Sequence, residues 1–127
     1  MSNEIKREDG PKREFSTGAE RQTAEGKGTP VLVPGDAILE VAKHFENGAE
    51  IYGARNWEKG IPWWRIFAAM MRHGWAWWGG EQLDPKDGQH HLSSVVWCAL
   101  TLMEYEETHP ELDDRPKGEK NAEIQTP

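Results

Sequence analysis

Residues 62–80 read PWWRIFAAMMRHGWAWWGG, and this run decides the fold. Proline is tolerated in the first turn of a helix, where its missing donor would lack a partner anyway, and Gly79-Gly80 stops the run. Between them the spacing predicts a helix from about Pro62 to Trp78, interrupted on its apolar surface only by Arg65, Arg72 and His73. A helix with no wide polar face must be covered by other helices, so this one is expected to be the central and most buried element.

Working outward, Pro34-Gly35-Asp36 forms a turn and a helix N-cap, and Ile38, Val41, Ala42, Phe45 and Ala49 recur at spacings of three and four. This is a first core helix, with Asn47-Gly48 and Tyr52-Gly53 as alternative stopping points. A third helix is predicted from about His90 to Thr108, with Leu92, Val95, Val96, Ala99, Leu102 and Met103 as its inner stripe and His109-Pro110 as its end. The intervening segment, 79–89, carries Glu81, Asp84, Pro85, Asp87 and Gly88 with only Leu83 to bury, so it reads as an acidic surface loop. No β-strand alternation competes. The fold class is therefore all-α: a small bundle of about three to four core helices over residues 31–109.

The flanks differ in kind. Residues 1–30 balance six acids against six bases and hold only Ile5 and Phe15 as large apolar side chains, too little burial to offset ordering entropy, so a mobile N-terminal arm is expected. Residues 110–127 read as an acidic disordered tail; from Glu104 to Pro127 eight acids face three bases, most of the formal net charge of -7. Removing the flanks leaves a core of roughly 75 residues, a size at which oligomerisation commonly adds missing burial, so a homo-oligomer is expected.

Composition also excludes function classes. The single Cys98 permits no internal disulfide and no cysteine-rich zinc site. No stretch reaches the ~18 to 20 apolar residues of a membrane span, and the first residues lack the apolar core of a signal peptide, so the expectation is a cytoplasmic protein with no membrane association. From Val31 to Met103 eight acids outnumber six bases, which argues against duplex nucleic acid as a partner. A small phosphorylated ligand stays open where a few cations and a metal ion converge.

Several constellations bear on chemistry. Glu81-x-x-Asp84, with His73 before it and His91 after it, has a spacing suited to a hard cation such as magnesium; the bland alternative is a solvated loop beside core or capping histidines. Glu46 and Glu50 share a face if the first helix runs through Gly48, either as further metal ligands or as solvated acids. In 52–60, YGARNWEKG, Arg55 and Lys59 match phosphate oxygens and Asn56 can read a base edge, unless the segment is only a loop pinned by Trp57. All seven tryptophans fall between Trp57 and Trp97, where they stack on bases or, more commonly, fill a core or subunit interface. Arg21 and Lys27 lie in a Gly-rich arm that lacks a phosphate-loop spacing but offers cations to an anion. With no Gly-x-Ser-x-Gly element and the only cysteine in an apolar run, metal-assisted attack by water fits better than nucleophilic catalysis.

Taken in order, Thr17-Gly18-Ala19-x-Arg21, Gly26-Lys27, Gly48-Ala49-x-x-Tyr52-Gly53-x-Arg55-Asn56-Trp57-x-Lys59-Gly60, Arg72-His73, Gly80-Glu81-x-x-Asp84, Gly88 and His91-Leu92 resemble the phage-associated dATP/dGTP diphosphohydrolase N-terminal domain family. That family is related to the MazG-like all-α nucleoside triphosphate pyrophosphohydrolases, and the resemblance covers about Phe15 to Tyr105. It implies hydrolysis of a deoxypurine nucleoside triphosphate, dATP or dGTP, to monophosphate and pyrophosphate in the host cytoplasm, with Mg2+ or Mn2+ assisting water. The implied roles are Glu81 and Asp84, then Glu46 and Glu50, for metal; His73 and His91 as catalytic groups; and Arg55, Asn56, Lys59 and Arg72, with Arg21 and Lys27 from the arm, for substrate. MazG-like enzymes carry Glu-x-x-Glu on one helix and Glu-x-x-Asp on a facing one, whereas this chain has His91-x-x-Ser94 on its third helix. That departure keeps one rival in view, a nucleotide-binding protein without turnover, and the tryptophan density keeps another, a host-interaction protein with a Trp-rich surface.

Overall fold

The computed structural model describes residues 11–23 and 25–117. The chain divides into two compact units, 1–35 and 36–127. In the first, β1 (Lys12–Glu14) pairs antiparallel with β2 (Glu20–Gln22), Arg13 opposite Arg21, and a 3-10 turn follows at Pro30–Leu32. The sequence predicts no strand in this arm, so the hairpin adds a small element to the helical class. Its short strands are closed by Gly18, whose positive φ of 89° suits a tight connection.

The second unit is helical: α1 (Gly35–Tyr52), α2 (Trp63–Trp78) and α3 (His91–Thr108), with 3-10 turns at Asn56–Lys59 and Pro110–Leu112. The predicted class holds, with three packed helices. α1 runs unbroken through Gly48, so Tyr52-Gly53 is its true stop, and the amide of Gly53 closes the last turn on Ala49 O. α2 and α3 pack along their lengths; Trp63 Nε1 donates to His109 O at one end, and the rings of His73 and His91 meet at the other, so the helices are antiparallel. No helix among the described residues is long and apolar enough to cross a membrane.

Two expectations about burial are corrected. α2 is not the most buried element: Trp63 and Ile66 are buried, but Trp75 and Trp78 are 71% and 82% exposed. A helix apolar all round needs neighbours on every side, and among the described residues α3 is the helix packed along it. α3 is more deeply buried, and on a different stripe from the one its hydrophobicity indicates. His91, Ser94, Cys98, Thr101 and Tyr105, at heptad-like spacing, are buried, whereas Met103 is 65% exposed and Leu92, Val95, Val96, Ala99 and Leu102 are half-buried. Small side chains at Ser94, Cys98 and Thr101 allow close helix approach, while the large residues of α2 fill the space between.

The core is accordingly compact: Trp63, Ile66, Cys98 and Tyr105, walled by Trp57, Ile61, Met70, Trp97 and Leu112 among others. Tyr105 is fully buried, and its hydroxyl donates to Trp57 O, which fixes the turn after α1 against α3. Residues 110–117, grouped by composition with the tail, fold back on this core. Leu112 packs into it, Asp114 accepts from Trp64 N at 3.0 Å to cap α2, and the Arg115 guanidinium lies 4.9 Å above the Trp63 ring. Residues 118–127 lie outside the described residues.

Candidate functional site

The antiparallel pairing of α2 and α3 dictates what meets at the closed end of the hairpin. Trp63, Ile66, Met70 and His73 follow one another at three- and four-residue steps, so the stripe that builds the core on α2 ends in an imidazole. The buried stripe of α3 begins with another, His91. The two rings stand 5.1 Å apart, with Nδ1 to Nδ1 at 2.9 Å. The choice between adjacent histidines is settled by the start of α3: His91 turns inward and is 4% exposed, whereas His90 stays outside as N-cap, its Nδ1 accepting from Leu92 N at 3.1 Å.

The acidic loop closes over this pair as a built structure. Asp84 N donates to Gln89 O at 2.8 Å, Gly88 N to Asp84 O at 2.7 Å, and Asp84 Oδ1 accepts from Lys86 N at 2.9 Å. Leu83 and His90 form an antiparallel bridge across the loop's neck. One donor atom each from His73, Asp84 and His91 then lies within 4.8 Å of the others. Glu81 is placed differently: its Oε1 contacts His91 Nε2 at 2.7 Å. A carboxylate oxygen only accepts, so His91 Nε2 carries the proton, and in the neutral ring Nδ1 offers its lone pair toward His73. Burial, then the neighbouring His91, hold the His73 pKa below its ordinary value, opposed by Asp84 and Asp87. The result is an imidazole that keeps its lone pair near neutrality. At 2.9 Å His73 Nδ1–H donates to His91 Nδ1 in the neutral pair; with the His73 proton on Nε2 instead, two nitrogens and a carboxylate oxygen converge as a donor set that fits a divalent cation.

A cavity of about 930 Å³ opens between α1, the Asn56–Lys59 turn and α2, at the upper end of the range for small-molecule sites. Its walls are aromatic, with Phe45, Trp57, Trp64 and Trp97, and its cations are Arg55, Arg65 and Arg72. Arg55 sits in the left-handed region at φ 61° and pairs with Glu58 at 2.6 Å. Its backbone turns the chain into the 3-10 segment while the guanidinium stays at the surface. Asn56 lines the same space. Arg72, next to His73 in sequence, joins the cavity to the histidine pair, and so does His44. The His44 ring lines the cavity, lies 2.5 Å from Gln89 Oε1 and 3.5 Å from Ser94 Oγ, and packs edge-on against Trp97.

The structure thus brings together some of the residues singled out from sequence and not others. His73, Asp84 and His91 converge, with Glu81 in contact with His91. Glu46, Arg55, Asn56 and Arg72 line the cavity, while Glu50 and Lys59 are exposed and outside its lining. Neither Glu46 nor Glu50 joins the His73, Asp84, His91 group. Arg21 is on β2 and Lys27 follows it in the N-terminal unit. His44, Arg65 and Gln89 escaped sequence reading. His44 was detectable in principle, because it lies three residues beyond Val41 on the stripe that α1 buries. Cys98 is inert: burial pushes its thiol up to about 11 against the pull of Arg72.

The family model described as dATP/dGTP diphosphohydrolase, N-terminal, covers residues 17–115. No curated protein and no solved structure matches the chain.

Proposed function

We propose, from the premise that this chain belongs to the dATP/dGTP diphosphohydrolase N-terminal domain family, that it hydrolyses deoxypurine nucleoside triphosphates to the monophosphate and pyrophosphate. The observation that carries the reading is the convergence of His73, Asp84 and His91 beside a cavity lined by three arginines and five large aromatic rings. His73, Asp84 and His91 would hold a divalent metal, which when bound supplies charge neutralisation and an acidified water.

The chain's own groups do the positioning. Arg55 and Arg72 offer planar forks to the phosphate oxygens, and Arg65, whose guanidinium lies 5.6 Å from the Trp64 ring, adds a third cation. Trp57 and Trp97 present faces on which a purine can stack, with the Asn56 amide beside them to read a base edge. Glu81 orients His91, and His44 couples the cavity wall to the acidic loop through Gln89. Water adds to the α-phosphorus and pyrophosphate leaves, taking up the proton that the water gives. Glu46 is the one acid of α1 on the cavity wall, so of the two it is the better placed to meet substrate or its counter-ion. The outer apolar surface of α2, with Phe67, Trp75 and Trp78, supports a second copy of the chain as partner.

The test is release of pyrophosphate and orthophosphate from a panel of ribo- and deoxynucleoside triphosphates, beside an Asp84→Asn control. Pyrophosphate from deoxypurine substrates, lost in the control, supports the reading; no turnover by folded protein rejects it. The exposed tryptophans favour one rival, a protein that grips another polypeptide. Strong acrylamide quenching of tryptophan fluorescence in the native oligomer, together with no turnover, would select that rival.

A further inference from the structure

The donor set beside the cavity is not the one a magnesium enzyme uses. Magnesium takes oxygen ligands in near-ideal octahedra, gives up water reluctantly and is held by one or two carboxylates and phosphates. Here two of the three converging donors are imidazoles, and one of them, His91, is buried. Imidazole nitrogen suits first-row transition ions, whose affinities for nitrogen sites far exceed that of magnesium. We propose that His73, Asp84 and His91 form a nitrogen-rich centre for a d-block divalent cation, with Glu81 acting on His91 as its orienting partner rather than as a ligand. This deepens the hydrolase reading and rests on its identification of a metal centre.

Three observations support it. The Nδ1 atoms of His73 and His91 are 2.9 Å apart, near the ~3 Å expected for two nitrogens on adjacent positions of one ion with bonds of about 2.1 Å. Glu81 Oε1 lies 2.7 Å from the far nitrogen of His91, the carboxylate-histidine arrangement that fixes ring and tautomer in metal sites. The Asp84 side chain is held by Lys86 N at one oxygen, and its backbone is pinned to Gln89 and Gly88, so the carboxylate is placed before any ion arrives. The alternative occupant is a single proton shared by the two imidazoles.

The full chain, stripped with a chelator, is titrated with Co2+ by calorimetry and visible absorption, then challenged with a large molar excess of Mg2+. The expected result is one Co2+ per chain with d–d bands that Mg2+ does not remove. His73→Gln and Asp84→Asn should lose or strongly weaken the site, and Glu81→Gln should weaken it by roughly 10–100-fold while keeping the nitrogen-ligand spectrum. Circular dichroism certifies each variant as folded, and the half-buried His73 and the loop residue Asp84 make these safer than substitutions at buried His91. Absence of saturable Co2+ binding to folded protein, displacement by the excess of Mg2+, or binding unchanged in His73→Gln overturns the proposal. Pyrophosphate release is scored separately. Co2+ binding without turnover upholds the centre and rejects the hydrolase reading, whereas turnover with Mg2+ and no Co2+ site does the reverse.

Discussion

Replacing Gly60 with alanine should destabilise the protein severely, although the change adds one methyl group. Gly60 ends the 3-10 turn of Asn56–Lys59 at φ 101°, ψ 134°, a conformation that essentially only glycine adopts. A Cβ built there would sit 2.7 Å from Leu112 Cδ1 and 3.0 Å from His109 Cε1. Neither neighbour yields easily. Leu112 packs on the core, and the His109 ring is held at both nitrogens, 2.8 Å from Glu111 Oε2 and 2.7 Å from Glu58 O. Backbone strain of about 1–3 kcal/mol and overpacking of about 1–3 kcal/mol together predict a loss of roughly 2–6 kcal/mol. Against a typical total of ~5–15 kcal/mol this is a large fraction. At ~4–8 °C per kcal/mol for a domain of this size, the melting temperature should fall by at least ~8 °C. Urea unfolding followed by tryptophan fluorescence measures it, with Gly74→Ala as control. Gly74 is helical and its added Cβ meets nothing within 4 Å, so helix propensity should make that variant more stable, by up to ~1 kcal/mol. A Gly60→Ala protein within about 0.5 kcal/mol of wild type, or a Gly74→Ala protein less stable than Gly60→Ala, would refute the reasoning.

Further outcomes follow from the same packing. Tyr105→Phe removes one of the two donors to Trp57 O, which keeps the Gly60 amide, and should cost about 0.5–1.5 kcal/mol in urea unfolding; because Trp57 also lines the cavity, nucleotide affinity should fall with it. Among the described residues Thr101 Oγ1 is buried with no hydrogen-bond partner, so Thr101→Val should be neutral or stabilising, by up to ~2 kcal/mol; a clear loss would show a missing partner. Asp114→Ala should remove the cap on α2 and cost roughly 0.5–2 kcal/mol in thermal melts. The His109–Glu111 pair sets a pH window. Hydrogen bonds to Glu111 and then to Glu58 O raise the His109 pKa above 6.5, so its contribution is complete below 6.5 and lost as pH rises through the raised value. His109 lowers the Glu111 pKa below 4.5, so that contribution is complete above 4.5 and lost as pH falls through the lowered value. Stability from the pair should therefore peak between those limits, and His109→Gln should flatten the pH profile of the melting temperature.

By itself the sequence determined the helical class, the bounds of α2 and α3 to within one residue, the punctuation at Pro62 and Gly79-Gly80, and the ordered series of motifs that marks the family. These are local properties: turn residues and apolar periodicity act over a few positions, and spacing is visible in one dimension. Tertiary structure alone decided which face of α3 turns inward. From Leu92 to Met103 neither of its faces carries a charge, the acids Glu104, Glu106 and Glu107 coming only in the last turns, and the buried face is chosen by how closely α2 can approach Ser94, Cys98 and Thr101, a matter of shape rather than hydrophobicity. It also separated the roles within Glu81-x-x-Asp84. In sequence the two acids look equivalent, but the turn at Asp84 brings one carboxylate to the histidines while Glu81 reaches the outer nitrogen of His91. His44 became part of the site only through packing, because nothing along the chain says that a ring on α1 meets Gln89 and Trp97, residues 45 and more positions away. Such contacts depend on the path of the chain between helices, which periodicity does not encode.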